Sequence, residues 1–299
     1  MSFSFPQIDP VIFSFSVGQL EFALRWYAVS YIAGILVAWK LMQFLVKRDN
    51  LWSKKGPPLS SLEVDDLMTY LILGIILGGR IGYVFFYQPG YYLQNPAHIF
   101  KIWQGGMSFH GGFLGVVIGT VFYSYKHKID LWSLGDLIAV ASPPGLLFGR
   151  LANFINGELW GKPTTSKWGM VFPAKNAQEC PENWIGACTR HPSQLYEAAM
   201  EGLALWVIML TFVLIFHSLK RRGETICLFL IGYGISRGII EIFREPDAQF
   251  VNALNPNGYI ILFNETIGLS MGQILCLPMV IIGISSMIIR HMLVMKSNS

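Results

Sequence analysis

Charge is scarce in this sequence. Its 22 basic and 18 acidic residues make up 13% of 299, about half of what soluble domains usually carry. That shortage excludes an ordinary soluble globular domain. Cysteine is scarce too, with four in all. No Cys/His cluster has zinc-ligand spacing and no acidic cluster suits calcium or magnesium, so no metal is expected. The first ten residues, "MSFSFPQIDP", contain no Lys or Arg and lack a small-residue cleavage site; a cleaved signal peptide is not expected. No fixed-period repeat is found.

What fills the chain is apolar. Hydrophobic residues make up 53% and the mean hydropathy is +0.47. Apolar runs near the roughly 20 residues that cross a bilayer as helix lie at about 23–46, 67–87, 108–125, 134–154, 195–217, 225–243 and 270–294. The fold class expected is an all-α polytopic membrane protein of seven transmembrane helices, forming one bundle domain over 1–299. The third span is short and Gly-rich. Ahead of the first span, "VIFSFSVGQLEF" alternates large and small residues around Gly18, which fits a hairpin in a surface arm over 1–22. A second external element is the long segment 156–194.

Cations set the orientation. Lys47, Arg48, Lys54 and Lys55 follow span one, Lys126 and Lys128 span three, and Lys220, Arg221 and Arg222 span five; Arg290 and Lys296 sit at the C-terminal end. The opposite short connections carry little beyond Lys101 and Arg244. The positive-inside rule then puts the N-terminus outside and the C-terminus in the cytoplasm. The net charge of +4 reflects topology, and a nucleic-acid partner is not expected. Cys227 and Cys276 fall within spans as packing residues, while Cys180 and Cys188 lie in the external segment as either a disulfide or two free thiols.

With that orientation, spans two, four and six each bring one arginine into the outer half: Arg80 in "GGRIGY", Arg150 in "FGRLAN" and Arg237 in "ISRGII". Arg237 lies about 9 Å below the outer boundary at the rise of a helix. An arginine at membrane depth costs at least a few kcal/mol unless solvated or paired. For one alone, snorkelling or a carboxylate partner is the ordinary explanation. Glu241 stands four residues after Arg237 on the same face; Glu158, on the face of Arg150 if that helix persists, and Glu197 and Glu201 at the start of span five are further candidates. Three at one level point to a shared external anion, and Arg forks match phosphate oxygens. A lipid phosphate is the expected ligand.

His110, in "GGMSFHGGFLG", opens the third span at the same boundary, with Gly111, Gly112 and Gly115 leaving a groove towards the imidazole. Its unperturbed pKa near ~6.5 suits proton transfer. Tyr27 begins span one externally, and Tyr233 stands one turn before Arg237; both also fit an interfacial aromatic belt. In "RHPSQLYE" Pro192 suits a helix start, Ser193 its cap, and His191 a structural or gating place.

"GRLANFINGELWG", residues 149–161, fits at every fixed position the signature of prolipoprotein diacylglyceryl transferases, and "HGGFLG", "RHPSQLYE" and "GYGISRGIIEIFREPDAQ" resemble other segments of that family. The resemblance spans residues 27–249. It implies a bacterial inner-membrane enzyme that moves the diacylglyceryl group of phosphatidylglycerol onto the lipobox cysteine of a preprolipoprotein, releasing glycerol phosphate. Carried over by position, the residues that matter are Tyr27, His110, Arg150, Asn153, Glu158, Gly161, Tyr233, Arg237 and Glu241. His110 is expected to accept the thiol proton. Arg150 and Arg237 would stabilise the departing phosphate, with Arg80 also on the lipid, Asn153 orienting the headgroup, and Glu158 and Glu241 holding the arginine forks. Two rivals are weighed. An anion transporter or channel needs cations along a pore, whereas these arginines cluster at one depth. An intramembrane serine protease needs a serine activated by a base, and Ser108 near His110 lacks a matching motif.

Overall fold

The computed structural model describes residues 3–18, 20–181, 183–246, 248–252, 255–264 and 267–298. The chain is mostly helical. Strands β1 (Phe3–Ser4), β2 (Val11–Val17) and β3 (Leu20–Arg25) precede α1 (Trp26–Val46) and α2 (Ser61–Phe86). Then come α3 (Pro89–Gln94), α4 (Phe109–His127), α5 (Leu131–Ala141), α6 (Pro143–Ile155) and strand β4 (Met170–Val171). Helix α7 (Ser193–Glu197) runs through a π-helical stretch, Ala198–Ala204, into α8 (Leu205–Leu214). Helix α9 (Glu224–Ile240), strands β5 (Ile261–Leu262) and β6 (Gly268–Leu269), and α10 (Met271–Asn298) complete the order.

Among the described residues, five segments are long and apolar enough to cross a membrane: Trp26–Val46, Ser61–Phe86, Leu131–Ile155, Ser193–Leu214 and Met271–Arg290. They coincide with five of the seven spans expected from hydropathy. The other two places are occupied by α4, whose glycines and polar ends dilute its apolar content, and by the 17-residue α9. Helix α2 shows what the apolar surface is for. Leu73, Leu77, Ile81 and Phe85, spaced four apart on one face, are all more than half exposed. Such a stripe is costly against water and suited to lipid.

The chain forms two compact units. The first comprises Met1–Ala38, Ala139–Phe216 and Glu224–Ser299; the second comprises Trp39–Ile138 and His217–Gly223.

In the second unit, α2 starts at a capping box: Ser60 accepts from the Glu63 amide while the Glu63 carboxylate accepts from the Ser60 amide. Helices α2 and α4 then meet backbone to backbone. A Cβ on Gly74 would lie 2.4 Å from the Gly115 carbonyl oxygen, and one on Gly111 would lie 2.2 Å from that of Gly78. This is small-residue packing of the kind that holds membrane helices together. It also corrects one expectation: Gly111 and Gly115 are occupied by α2 and do not open a groove to His110. Deeper in this unit, Trp39 Nε1 and Gln43 Nε2 donate to the Asp65 carboxylate at 2.6 and 2.7 Å.

In the first unit the expected hairpin is present. β2 and β3 pair antiparallel around Gly18, whose φ of +64° is the conformation glycine adopts without strain. Phe13, Phe15 and Phe22 lie on one face of it, exposed. β1 pairs parallel with β4, and Phe5 packs against Phe154 and Phe172, tying the N-terminal strand to the segment after α6. That segment is closed by a Cys180–Cys188 disulfide. Arg190, also buried, anchors it by donating to the carbonyls of Ala177 (2.7 Å), Glu179 (2.5 Å) and Gly161 (3.3 Å) and to the Glu245 carboxylate (2.7 Å).

Candidate functional site

The first unit gathers three arginines and three glutamates. Arg150 comes from α6, Arg237 from α9 and Arg244 from just beyond α9; Glu197 ends α7, Glu201 lies in the π-helical stretch, and Glu241 follows α9. Arg150 Nε lies 2.7 Å from Glu197 Oε2 and its Nη2 lies 3.8 Å from Glu201 Oε2. Arg237 Nη1 sits 3.5 Å from Glu197 and 3.7 Å from Glu201, with Nη2 at 3.1 Å from Glu241. Arg244 reaches Glu197 and Glu241 at 3.8 and 3.7 Å. The Arg237–Glu241 pair is the one expected from their spacing.

The backbone explains why these groups meet. Gly202 follows Glu201, and a Cβ on it would lie 2.7 Å from the Cα of Leu147. The glycine therefore lets the π-helical stretch close onto α6, one turn from Arg150. π-helical insertions are rare and recur at functional sites. Beside the arginines, a Cβ on Gly149 or Gly238 would meet nothing within 4 Å, so both positions border open space.

Charge balances in this cluster while hydrogen bonding does not. Both carboxylate oxygens of Glu197 and of Glu201, Oε2 of Glu241 and Nη1 of Arg237 are buried with no well-directed hydrogen-bond partner among the described residues. Glu197 and Glu201 are almost completely buried. Buried ionic groups ordinarily satisfy their lone pairs and protons. Five of these six atoms are carboxylate acceptors, which water or another hydrogen-bond donor would satisfy, while Nη1 of Arg237 keeps a donor that an anion's oxygen could take.

The remaining expected residues fall as follows. Asn153 donates to Glu158 Oε1 at 2.8 Å, and Asn156 reaches the same oxygen at 3.4 Å. Glu158 is thus held by amides, and the carboxylates that grip Arg150 are Glu197 and Glu201. The Tyr27 hydroxyl meets that of Tyr31 at 3.4 Å, and Tyr31 feels the charges of Arg150 and Glu158. Tyr233 stacks on Phe229 and is within electrostatic reach of Glu201, Arg237 and Arg150. Gly161 has no room for a side chain: a Cβ would lie 2.3 Å from the Phe243 carbonyl oxygen and 2.9 Å from the His191 Cβ.

Ser193 does not cap its helix. Pro192 holds the cap position, and the Ser193 hydroxyl donates to the Leu159 carbonyl at 3.0 Å. His191 Nδ1 meets the Tyr196 hydroxyl at 3.2 Å, and the ring packs edge-on against Phe243. Burial, and then the Lys162 charge, hold its pKa below the usual histidine value.

Two expected residues belong to the second unit. Arg80 is buried, and its five N–H groups face five carbonyls: Ile99 (2.8 Å), Gly105 (2.6 Å), Gly106 (3.1 Å), His98 (2.6 Å) and Lys101 (3.4 Å). A guanidinium has five donors, so Arg80 has none left for a headgroup; it clamps the loop before α4. His110 lies in the first turn of α4, exposed, behind the Ser108 cap that accepts from the Gly111 amide.

Sequence reasoning missed Arg244, Lys162 and Tyr31. Tyr31 was within reach, four residues after Tyr27 on one helix face. Arg244 and Lys162 sit in connections, where apolar periodicity carries no signal.

A family model described as prolipoprotein diacylglyceryl transferase matches residues 10–289. A phosphatidylglycerol–prolipoprotein diacylglyceryl transferase of Ruegeria pomeroyi is 53% identical over 94% of this chain and 95% of its own length. One from Roseobacter denitrificans is 51% identical, again over 94% of this chain and 95% of its own. A third, from Phenylobacterium zucineum, is 44% identical over 94% and 92% respectively.

Proposed function

Since the chain belongs to the prolipoprotein diacylglyceryl transferase family, we propose that it transfers the diacylglyceryl group of phosphatidylglycerol to the lipobox cysteine of preprolipoproteins. Sulfur attacks the glyceryl carbon that bears the phosphate; the S–C bond forms as the C–O bond to phosphate breaks. The thiol proton passes to a base, and glycerol phosphate leaves with the bond pair. The product peptide carries a thioether-linked lipid. No metal or organic cofactor enters this balance, because the attacking cysteine arrives on the substrate.

The observation that carries the reading is the arginine–glutamate cluster. A phosphodiester bears one negative charge, and its oxygens fit the forks of Arg150 and Arg237. As the C–O bond breaks, charge grows on the phosphate, and preorganised donors in a water-poor site are worth about 3–4 kcal/mol each. Glu197, Glu201 and Glu241 keep the forks aimed while the site is empty. Asn153, with Glu158 as its acceptor, orients the headgroup; Tyr27 and Tyr233 contribute hydroxyls, and Gly161 keeps the chain after the signature tight. His110 remains the proposed proton acceptor.

In its setting, the protein lies in the bacterial inner membrane with seven spans, α4 and α9 completing the set. The N-terminus and the 156–194 segment face the periplasm, and the C-terminus faces the cytoplasm. The cation distribution supports that orientation.

Mass spectrometry of a lipobox peptide incubated with purified enzyme and phosphatidylglycerol tests the activity: a diacylglyceryl adduct is expected. Arg237→Gln is expected to lower turnover by 100-fold or more while folded protein still accumulates in the membrane. Undiminished turnover in that variant would remove Arg237 from the mechanism. For His110→Asn a comparable loss is expected, and full activity would move the base elsewhere.

A further inference from the structure

Bordered by Glu241, the first unit contains a cavity of about 240 Å³. Lys162 and Arg244 supply its cations and Glu241 one carboxylate, and Asn257, Tyr259, Ser270 and Gln273 supply neutral hydrogen-bonding groups. We propose that this cavity seats a small hydroxylated phosphate monoester, glycerol phosphate, as it leaves the arginine cluster. The proposal rests on the transfer reading above, since that reaction generates such a product.

Backbone geometry fixes the two cations together. Gly161 and Arg244 form an antiparallel bridge, and the Lys162 amide donates to the Phe243 carbonyl at 2.9 Å. Lys162 has no ion pair or side-chain hydrogen bond among the described residues. Burial pulls its pKa below the usual lysine range, only partly offset by Glu245 and Glu241. Arg244 is incompletely used: its carboxylate contacts are at 3.7 and 3.8 Å, beyond the range of a charge-assisted hydrogen bond. A desolvated ammonium and an under-engaged guanidinium on one cavity wall are the complement of a phosphate.

Glu241 joins this cavity to the transfer site. Its Oε2 lies 3.1 Å from Arg237 and 3.7 Å from Arg244, while its Oε1 accepts from the Ser270 hydroxyl at 3.2 Å. Gly272 makes room for it, since a Cβ there would lie 2.6 Å from the carboxyl carbon. The chemistry of the reaction supplies the direction. A phosphodiester carries one charge, whereas a monoester carries close to two at neutral pH. The product therefore gains by moving from a balanced cluster to a place with a free cation, and the neutral groups match the glycerol hydroxyls.

The test is equilibrium binding to the full-length protein in detergent, with glycerol 1-phosphate as one probe and phosphatidylglycerol in nanodiscs as the other. Lys162→Met is expected to weaken glycerol 1-phosphate binding tenfold or more, Lys162→Arg to preserve it within a few-fold, and phosphatidylglycerol affinity to change less than twofold in both. Tyr259→Phe, which removes one hydroxyl and no charge, is expected to weaken the monoester a few-fold and guards against a misfolded Lys162→Met. Unchanged glycerol 1-phosphate binding in both Lys162→Met and Tyr259→Phe overturns the proposal. So does a loss of phosphatidylglycerol affinity equal to or greater than that of the monoester, which would assign the cavity to the intact headgroup. Failure of the transfer reading is read separately, as absence of a lipidated peptide from the unmodified enzyme.

Discussion

Glu201 illustrates how much rests on single side chains here. It is completely buried, and Arg150 and Arg237 are its charge partners at 3.8 and 3.7 Å. Removing one member of a buried ionic set leaves the others uncompensated, at about 3–5 kcal/mol. Glu201→Ala is therefore expected to lower the thermal midpoint in detergent by several degrees, with Glu201→Gln intermediate; a midpoint unchanged in both would make the carboxylate dispensable to the fold. His191 gives a pH signature. Its folded pKa lies below the usual histidine value of about 6.5 through burial and then the Lys162 charge, so the unfolded chain takes up the proton first. Stability from this group is present above about pH 6.5 and is lost as pH falls towards the folded pKa. The thermal midpoint is expected to drop between pH 7 and pH 5, with a smaller drop in His191→Gln; equal drops would place the titration elsewhere.

At the scale of elements, glycines decide what fits. On Gly115 a side chain would begin 1.9 Å from the Gly74 carbonyl oxygen, whereas on Gly149 it would begin in open space. Gly115→Val is expected to abolish accumulation of folded protein and Gly149→Ala to leave it intact, measured by size-exclusion profile in detergent. Much of this level was legible in the sequence. Apolar runs located the helices, the alternation around Gly18 located the hairpin, and the i, i+4 spacing located the Arg237–Glu241 pair. What escaped depended on contacts distant in the chain. Arg80 and Arg150 look alike in sequence, each an arginine beside small residues in an apolar helix. One is engaged by carbonyls of a loop and the other by carboxylates of a different helix, and helical periodicity distinguishes neither. The cavity escaped for the same reason. It is built from residues on either side of α9 and the segment before α10, where register is set by the Gly161–Arg244 bridge rather than by any repeat.

For the whole molecule, the orientation proposed from the cations has a direct readout. With single cysteines placed at Lys54→Cys and Thr165→Cys in a background lacking the four native ones, a membrane-impermeant maleimide added to intact cells is expected to label the second and spare the first. The reverse pattern would invert the topology.

The arginine–glutamate cluster has one more consequence. Three guanidinium and three carboxylate groups cancel, so at a distance the empty site exerts almost no pull on chloride or inorganic phosphate, and any residual field fades within roughly 10 Å at 0.1 M salt. Recognition has to happen at contact range, by partner exchange among groups already in place. An enzyme built this way should run at nearly the same rate across wide changes in ionic strength.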